Sequence, residues 1–86
     1  MTSMNKVDVV LEMVAEERGR QLEKWGPQNH DPFAWMTILG EEYGETCQEA
    51  LRMHFGSKDD EDYIGELIQV AAVAVAAVEN ALFGEA

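Results

Sequence analysis

Hydrophobic residues recur at helical spacing in the first third of the chain. Positions three and four residues apart face the same side of a helix, which predicts an amphipathic helix over roughly residues 5–24. Gly19 would weaken this helix by about 1 kcal/mol relative to alanine. The predicted stripe consists of Val7, Val10, Leu11, Val14, Arg18 and Leu22.

The segment Trp25–Asp31 is predicted to be a loop, because the two prolines of the chain, Pro27 and Pro32, fall in it or directly after it. Asp followed by Pro is typical of a helix start, with Asp as the cap and Pro in the first turn. A second helix is therefore predicted from Pro32 to about Phe55. Its predicted inward stripe consists of Trp35, Ile38, Leu39, Thr46, Cys47, Ala50 and Met53.

A third helix is predicted after a short connection at residues 56–58. Its first turn would carry the acids from Asp59 to Asp62, which the helix dipole favours, and it would run to about Phe83 and end at Gly84. Between Leu67 and Val78 it is apolar on nearly every side, which is typical of a fully buried helix. Two helices of one chain cannot surround it. We therefore expect a partner subunit and an intersubunit four-helix-bundle core, in a homodimer or a dimer of dimers.

The length of the chain indicates one domain over residues 1–86, and the three predicted main helices make it all-α. A chain of this length builds only a marginal core, yet 47% of its residues are hydrophobic, which also favours a homo-oligomer. The single cysteine excludes an intrachain disulfide, and residues 1–6 show no signal-peptide pattern. The expected location is the cytoplasm.

The charge balance narrows the classes of partner. The net charge is −11, from 17 acidic residues against 6 Lys and Arg, which argues against nucleic acid because its phosphate backbone requires a basic face. The longest uninterrupted apolar run, Val70–Val78, is shorter than the about 20 residues of a membrane-spanning helix. We therefore expect neither nucleic acid nor a membrane as a partner.

Glutamates of the second helix project toward its apolar side. Glu42 lies one turn after Ile38, Glu45 follows three residues later, and Glu41 lies on the flank. Like charges at this spacing repel by about 0.2–0.5 kcal/mol per pair even when exposed, and burial increases the cost. Arg52 is the one Lys or Arg of this helix. A bound divalent cation would compensate these charges.

The third helix offers a matching pair, Glu66 and Gln69, three residues apart. An oxygen set from both helices suits Mg²⁺ or Mn²⁺ and disfavours Zn²⁺. Gly44 and Gly65 directly precede an acid on each helix, and we expect them to allow a close approach of the two backbones. The competing interpretation is that the glutamates form an ordinary solvated face.

The motif Glu41-Glu42-Tyr43-Gly44-Glu45, followed by Glu66-Leu67-Ile68-Gln69, resembles the MazG-like all-α nucleoside triphosphate pyrophosphohydrolases. The signature of that family is EExxE, a spacer and ExxD. The stretch from Glu17 to Gly26, ERGRQLEKWG, is similar to the front of a MazG-like subgroup. The resemblance spans roughly residues 16–80. At the last family ligand position, usually Asp, this chain has Gln69.

The resemblance implies Mg²⁺-dependent hydrolysis of a nucleoside triphosphate, canonical or modified, to the monophosphate and pyrophosphate. The implied metal ligands are Glu42, Glu45, Glu66 and Gln69, and Glu41 is the expected catalytic residue that orients or deprotonates water. The implied substrate-binding residues are Arg18 and Lys24 for phosphate, Trp25 for base stacking, Gln21 for the base edge, and Asn80.

Two alternatives remain open at the level of sequence. Gln69 in place of Asp is compatible with a non-catalytic nucleotide-binding or assembly module on the same fold. A purely structural helical oligomer is the other alternative, and it predicts that Mg²⁺ leaves the melting temperature unchanged.

Overall fold

A computed structural model of the chain describes residues 5–56 and 59–84. These ranges contain three helices and no strand: α1 (Lys6–Trp25), α2 (Pro32–Phe55) and α3 (Glu61–Phe83). The all-α prediction with three helices is confirmed. The third helix begins at Glu61, so only Glu61 and Asp62 of the four predicted acids lie in its first turn, whereas Asp60 is its N-cap residue and Asp59 precedes it. Of the predicted connection 56–58, residues 57–58 lie outside the described part of the chain.

The helix ends follow from local side-chain and backbone chemistry. Asn5 Oδ1 accepts a hydrogen bond from the Asp8 amide at 2.9 Å and caps α1. The predicted cap of α2 is confirmed, because Asp31 Oδ1 accepts from the Ala34 amide at 2.8 Å. Gly26 ends α1 with a φ of 71°, a left-handed conformation that favours glycine. These caps fix both ends of the loop at residues 26–31.

The three helices form a flat arrangement centred on α3. In the described residues, α1 and α2 each pack against α3 but not against each other, and the molecule measures 47 × 41 × 19 Å. The core forms where α2 crosses α3. It comprises Trp35, Val73 and Ala76, with Ile38, Leu39 and Ala77 packed against them. Trp35, Ile38 and Leu39 belong to the stripe that the sequence predicted for α2.

The centre of α3 is only partly covered by its own chain. Ala72, Val73 and Ala76 are buried, whereas Val75 and Val78 expose 41% and 56% of their surface. The expectation of burial on all sides is therefore not met within one chain. Among the described helices, α3 alone has the length and apolar composition that could span a membrane, with a mean hydropathy of 1.6.

The expectation of close backbone approach at Gly44 and Gly65 is wrong. A Cβ atom added at either position would meet nothing within 4 Å, and both residues are exposed. The two helices meet through side chains such as Trp35 and Val73 instead. These glycines therefore lower the helix propensity without a packing gain in the single chain.

Candidate metal centre

Three glutamates from two helices converge at one point. Glu42 and Glu45 lie three residues apart on α2, and Glu66 lies on α3, which packs against it. One carboxylate oxygen from each can be chosen so that all three lie within 4.8 Å of one another. We call Glu42, Glu45 and Glu66 the carboxylate cluster. Oxygens bound to one Mg²⁺ are at most about 4.2 Å apart, so small side-chain rotations would complete the fit.

Partial burial and neighbouring charges raise the pKa of two members of the carboxylate cluster, Glu42 and Glu66. Partial burial raises the pKa of Glu42 above its usual value, and the charges of Glu45 and Glu66 add to this shift. Partial burial also raises the pKa of Glu66, followed by the charges of Glu45 and Glu49. The ionised cluster is therefore unfavourable by itself, and a cation would relieve both desolvation and repulsion.

Two oxygens of the cluster have no hydrogen-bond partner within the described residues. Both Glu42 Oε2 and Glu66 Oε2 are buried, and each belongs to a carboxylate whose pKa is raised. Buried polar atoms are nearly always paired in folded proteins, so these two oxygens are available to accept from water or to bind a cation. The donor set of carboxylate oxygens fits a hard divalent cation.

A cleft of about 560 Å³ adjoins the cluster at Glu42. This volume falls within the range of small-molecule sites, about 300–1,000 Å³. All three helices and the loop at residues 26–31 contribute to its wall. The lining residues are Glu17, Arg18, Arg20, Gln21, Lys24, Trp25, Gly26, Gln28, His30, Trp35, Ile38, Glu42, Gln69, Val73 and Ala76.

The predicted phosphate- and base-binding residues of α1 lie on this cleft. Arg18 is held by α3, because its Nε donates to Glu79 Oε1 at 2.6 Å. Lys24 Nζ lies 4.9 Å from the centroid of the Trp25 ring, which is itself largely exposed. Gln21 also lines the cleft. The structure therefore places these predicted substrate residues on the same cleft as Glu42.

Four predicted site residues do not line the cleft: Glu45 and Glu66 of the carboxylate cluster, and Glu41 and Asn80, which lie outside both. Glu41 is exposed on α2, beside Glu42, whose pKa its charge helps to raise. The Asn80 side chain is engaged with the loop and with Trp35, whose indole Nε1 donates to Asn80 Oδ1 at 2.7 Å. Their catalytic and substrate-contacting roles stay predictions.

Glu17 is a site residue that the sequence reasoning missed. It lines the cleft, its charge adds to the raised pKa of Glu42, and its Oε1 accepts from Arg20 Nε at 2.8 Å. The signal was present in the helical period, since Glu17 lies three residues after Val14, the buried residue of α1. Trp35 was predicted as a core residue, and it is both buried and part of the cleft wall.

Comparison of the chain with protein-family models, with curated proteins and with solved structures finds no match. The MazG-like resemblance therefore rests on the motifs of the sequence alone and stays a hypothesis. The geometry of the carboxylate cluster and the cleft is independent of that resemblance.

Proposed function

We propose that this protein binds Mg²⁺ or Mn²⁺ at the carboxylate cluster and hydrolyses a nucleoside triphosphate to the monophosphate and pyrophosphate. The observation that carries the proposal is the pair of buried, unpartnered oxygens on Glu42 and Glu66, with Glu45 beside them and the cleft adjoining. A divalent cation held there would neutralise phosphate oxygens of an anionic substrate on an acidic protein.

The residues of the carboxylate cluster and of the cleft divide into three proposed tasks. Glu42, Glu45 and Glu66 hold the cation, and Gln69 offers an amide oxygen to the cation or to a water bound to it. Arg18 and Lys24 contact the phosphates. Trp25 stacks on the base, and Gln21 hydrogen-bonds to the base edge. Gln21, Gln69 and the α1 side chains all line the cleft.

The proposed reaction is attack of water on the α-phosphorus. A bond forms between the water oxygen and phosphorus, the bond from phosphorus to the α–β bridging oxygen breaks, and pyrophosphate leaves. Glu41 is the proposed residue that orients or deprotonates the water. Glu17 is a second candidate because it lines the cleft near Glu42. A comparison of Glu41→Gln with Glu17→Gln separates the two, since only the true base should give the larger fall in kcat.

Pyrophosphate release from a panel of nucleoside triphosphates tests this proposal directly. The panel contains canonical and base-modified ribo- and deoxyribonucleotides, with Mg²⁺ or with chelator. We expect metal-dependent release from at least one nucleotide, and loss of it in Glu42→Gln. Glu12→Gln, which removes an exposed acid of α1, is the matched control. Absence of turnover across the panel would contradict the proposed reaction.

Gln69 favours one second candidate, a module that binds nucleotide without hydrolysing it. An amide on the cleft contributes no charge to the cation, in contrast to a carboxylate. Calorimetric titration with nucleotides distinguishes the candidates, because this one predicts saturable binding without pyrophosphate release. Gln69→Asp should then confer turnover.

We further propose that a second copy of the chain covers α3 and completes a four-helix bundle. The chain exposes 6608 Å², about 1,500 Å² more than the roughly 5,100 Å² expected for a monomer of its mass. A typical stable interface buries about 800 Å² on each partner. The exposed large apolar residues of α3 are Ile64, Leu67, Val75, Val78, Leu82 and Phe83, and the last four line one shallow depression.

Light scattering on the purified chain tests this assembly. We expect a dimer or tetramer in buffer without detergent, and dissociation in Val78→Glu, which places a charge on the exposed face of α3. Val7→Glu makes the same change in residue type and charge at the exposed start of α1 and is the matched control. A wild-type monomer in buffer would contradict the assembly, and recovery only in detergent would indicate that lipid covers α3 instead.

A further inference from the structure

The Asn80 side chain, near the end of α3, connects the loop at residues 26–31 to α2 and α3. Asn80 Oδ1 accepts hydrogen bonds from the His30 amide at 2.8 Å and from Trp35 Nε1 at 2.7 Å. Asn80 Nδ2 donates to Asn29 Oδ1 at 2.6 Å. A single carboxamide therefore joins the loop, α2 and α3. We call residues 26–31, Trp35 and Asn80 the Asn80 corner.

The preceding residue of α3 holds the other side of the cleft. Glu79 pairs with Arg18 of α1 at 2.6 Å, so adjacent residues of α3 fix α1 and the loop. In the described residues α1 and α2 do not contact each other, and the cleft lies between them. The width of the cleft is therefore set through α3 and the loop rather than by direct packing of its two walls.

Asn80 lies behind the wall of the cleft, not on it. Its partners His30 and Trp35 line the cleft, as does Gln28, whose Oε1 lies 3.2 Å from His30 Nε2. The His30 and Trp35 rings meet edge to face, with centroids 4.9 Å apart. Fixing the backbone of His30 and the indole of Trp35 therefore fixes this whole wall.

The space that Asn80 occupies depends on Gly84. A Cβ atom added at Gly84 would overlap Asn80 Nδ2 and the Asn80 carbonyl oxygen. The chain thus continues past the end of α3 without displacing the carboxamide. Glycine at position 84 leaves room for the Asn80 side chain, and the three hydrogen bonds hold that side chain in place.

We propose that Asn80 is a positioning residue, whose carboxamide holds the loop at residues 26–31 so that Gln28 and His30 form a fixed wall of the cleft. Its effect on catalysis rests on the proposed function, whereas its effect on the loop does not. Since the carboxylate cluster is not part of the Asn80 corner, loss of the carboxamide should weaken substrate binding and leave the chemical step unchanged. The expected result is a raised KM with little change in kcat.

Two measurements on three variants test this role. Asn80→Leu removes all three hydrogen bonds with similar side-chain volume, and Asn80→Asp keeps the acceptor for His30 and Trp35 but loses the donor to Asn29. Asn5→Leu is the matched control, because Asn5 Oδ1 also accepts a backbone amide but lies at the distant start of α1. Hydrogen exchange of the His30 amide and the Trp35 indole reports on the loop. Steady-state kinetics on the preferred nucleotide report on KM and kcat.

We expect Asn80→Leu to accelerate exchange of the His30 amide and the Trp35 indole by about tenfold or more, and to raise KM by a similar factor. Asn80→Asp should show a smaller change in both, and Asn5→Leu should change neither. Unchanged exchange in both Asn80 variants would overturn the proposal, as would a fall in kcat at constant KM. If Asn80→Leu does not fold, Asn80→Asp carries the same test. Lack of turnover in the wild type would contradict the proposed function alone, since the exchange measurement needs no substrate.

Discussion

The Asn80 corner and the carboxylate cluster differ in whether their polar groups have hydrogen-bond partners. At the Asn80 corner, one carboxamide makes three hydrogen bonds, one of which it accepts from the Trp35 indole nitrogen. In the carboxylate cluster, buried oxygens of Glu42 and Glu66 lack a partner within the described residues, and all the charges have the same sign. Each region takes one residue from α3, Asn80 in one and Glu66 in the other, and both adjoin the cleft.

This difference separates a region that stabilises the fold from one that is maintained at the expense of stability. A buried polar group without a partner costs about 1–3 kcal/mol, whereas a paired one is neutral or favourable. The Asn80 carboxamide already has hydrogen-bond partners within the chain. The repulsion and desolvation in the carboxylate cluster would be relieved by a cation.

Replacing the tryptophan of the Asn80 corner should have the largest effect. Trp35 is 5% exposed and packs against Val73, so Trp35→Ala should lower the free energy of unfolding by about 3–5 kcal/mol. Trp25 is 62% exposed, and Trp25→Ala should change stability by about 0.5 kcal/mol or less while weakening nucleotide binding. Urea denaturation measures both. Equal losses of stability would show that the core is not centred at Trp35.

Neutralising one member of the carboxylate cluster should reduce function but not stability. Glu42→Gln should reduce turnover by about 100-fold or more, because the cation loses a ligand. The metal-free variant should be more stable than the wild type, because repulsion and the desolvation of one carboxylate are removed. Glu12→Gln makes the same change in net charge and should alter neither quantity. A Glu42→Gln protein that is less stable without metal would contradict the contrast.

Glycines of the two regions should respond to alanine with opposite signs. Gly44 and Gly65, beside the cluster acids, have open space around a Cβ, so Ala at either position should stabilise the helix by about 0.5–1 kcal/mol. Gly26, at the Asn80 corner, has a φ of 71°, and Gly26→Ala should destabilise by about 1 kcal/mol or more. Thermal denaturation measures all three. Destabilisation by Gly44→Ala would instead place a partner helix against that face.

The pH dependence of stability should be the smallest effect and should come from the cluster. The pKa values of Glu42 and Glu66 are raised in the folded state. Protonation of these groups therefore contributes its full stabilisation below about pH 4.5, the pKa of a glutamate in the unfolded chain. This contribution is lost as the pH rises through the raised values in the folded state. Metal-free wild type should therefore lose stability relative to Glu42→Gln as the pH rises above about 4.5. Mg²⁺ should abolish that difference, and a difference that persists with saturating metal would contradict the assignment.

The sequence was sufficient to predict the regular parts of the fold. The apolar period, the Asp31-Pro32 start and the glycines at the helix ends predict the three helices, which the structure confirms. It was also sufficient to bring Glu42, Glu45 and Glu66 together, because helix phase places two of them on one face and the third on the apolar neighbour.

The errors have one physical origin, since they concern contacts between elements. Glycines at positions 44 and 65 looked like a close helix crossing, but the crossing occurs at Trp35 and Val73 instead. The spacing of Glu17 from Val14 indicates the inward face of α1, but it does not show that this face shares a cleft with Glu42 of α2. The hydrogen bonds of Asn80 span about 50 residues of sequence, and no local pattern encodes them.

Titration of Mg²⁺ into the wild-type protein and Glu42→Gln, with binding heat and melting temperature as readouts, tests whether the carboxylate cluster holds a divalent cation. We predict saturable binding to the wild type and, at ten times the Kd, a stabilisation of about 1.4 kcal/mol, which corresponds to a rise in Tm of roughly 6–11 °C. Glu12→Gln should behave as the wild type, and Glu42→Gln should show neither binding nor stabilisation. Identical responses of the wild type and Glu42→Gln, or no response in either, would contradict a metal centre at the carboxylate cluster.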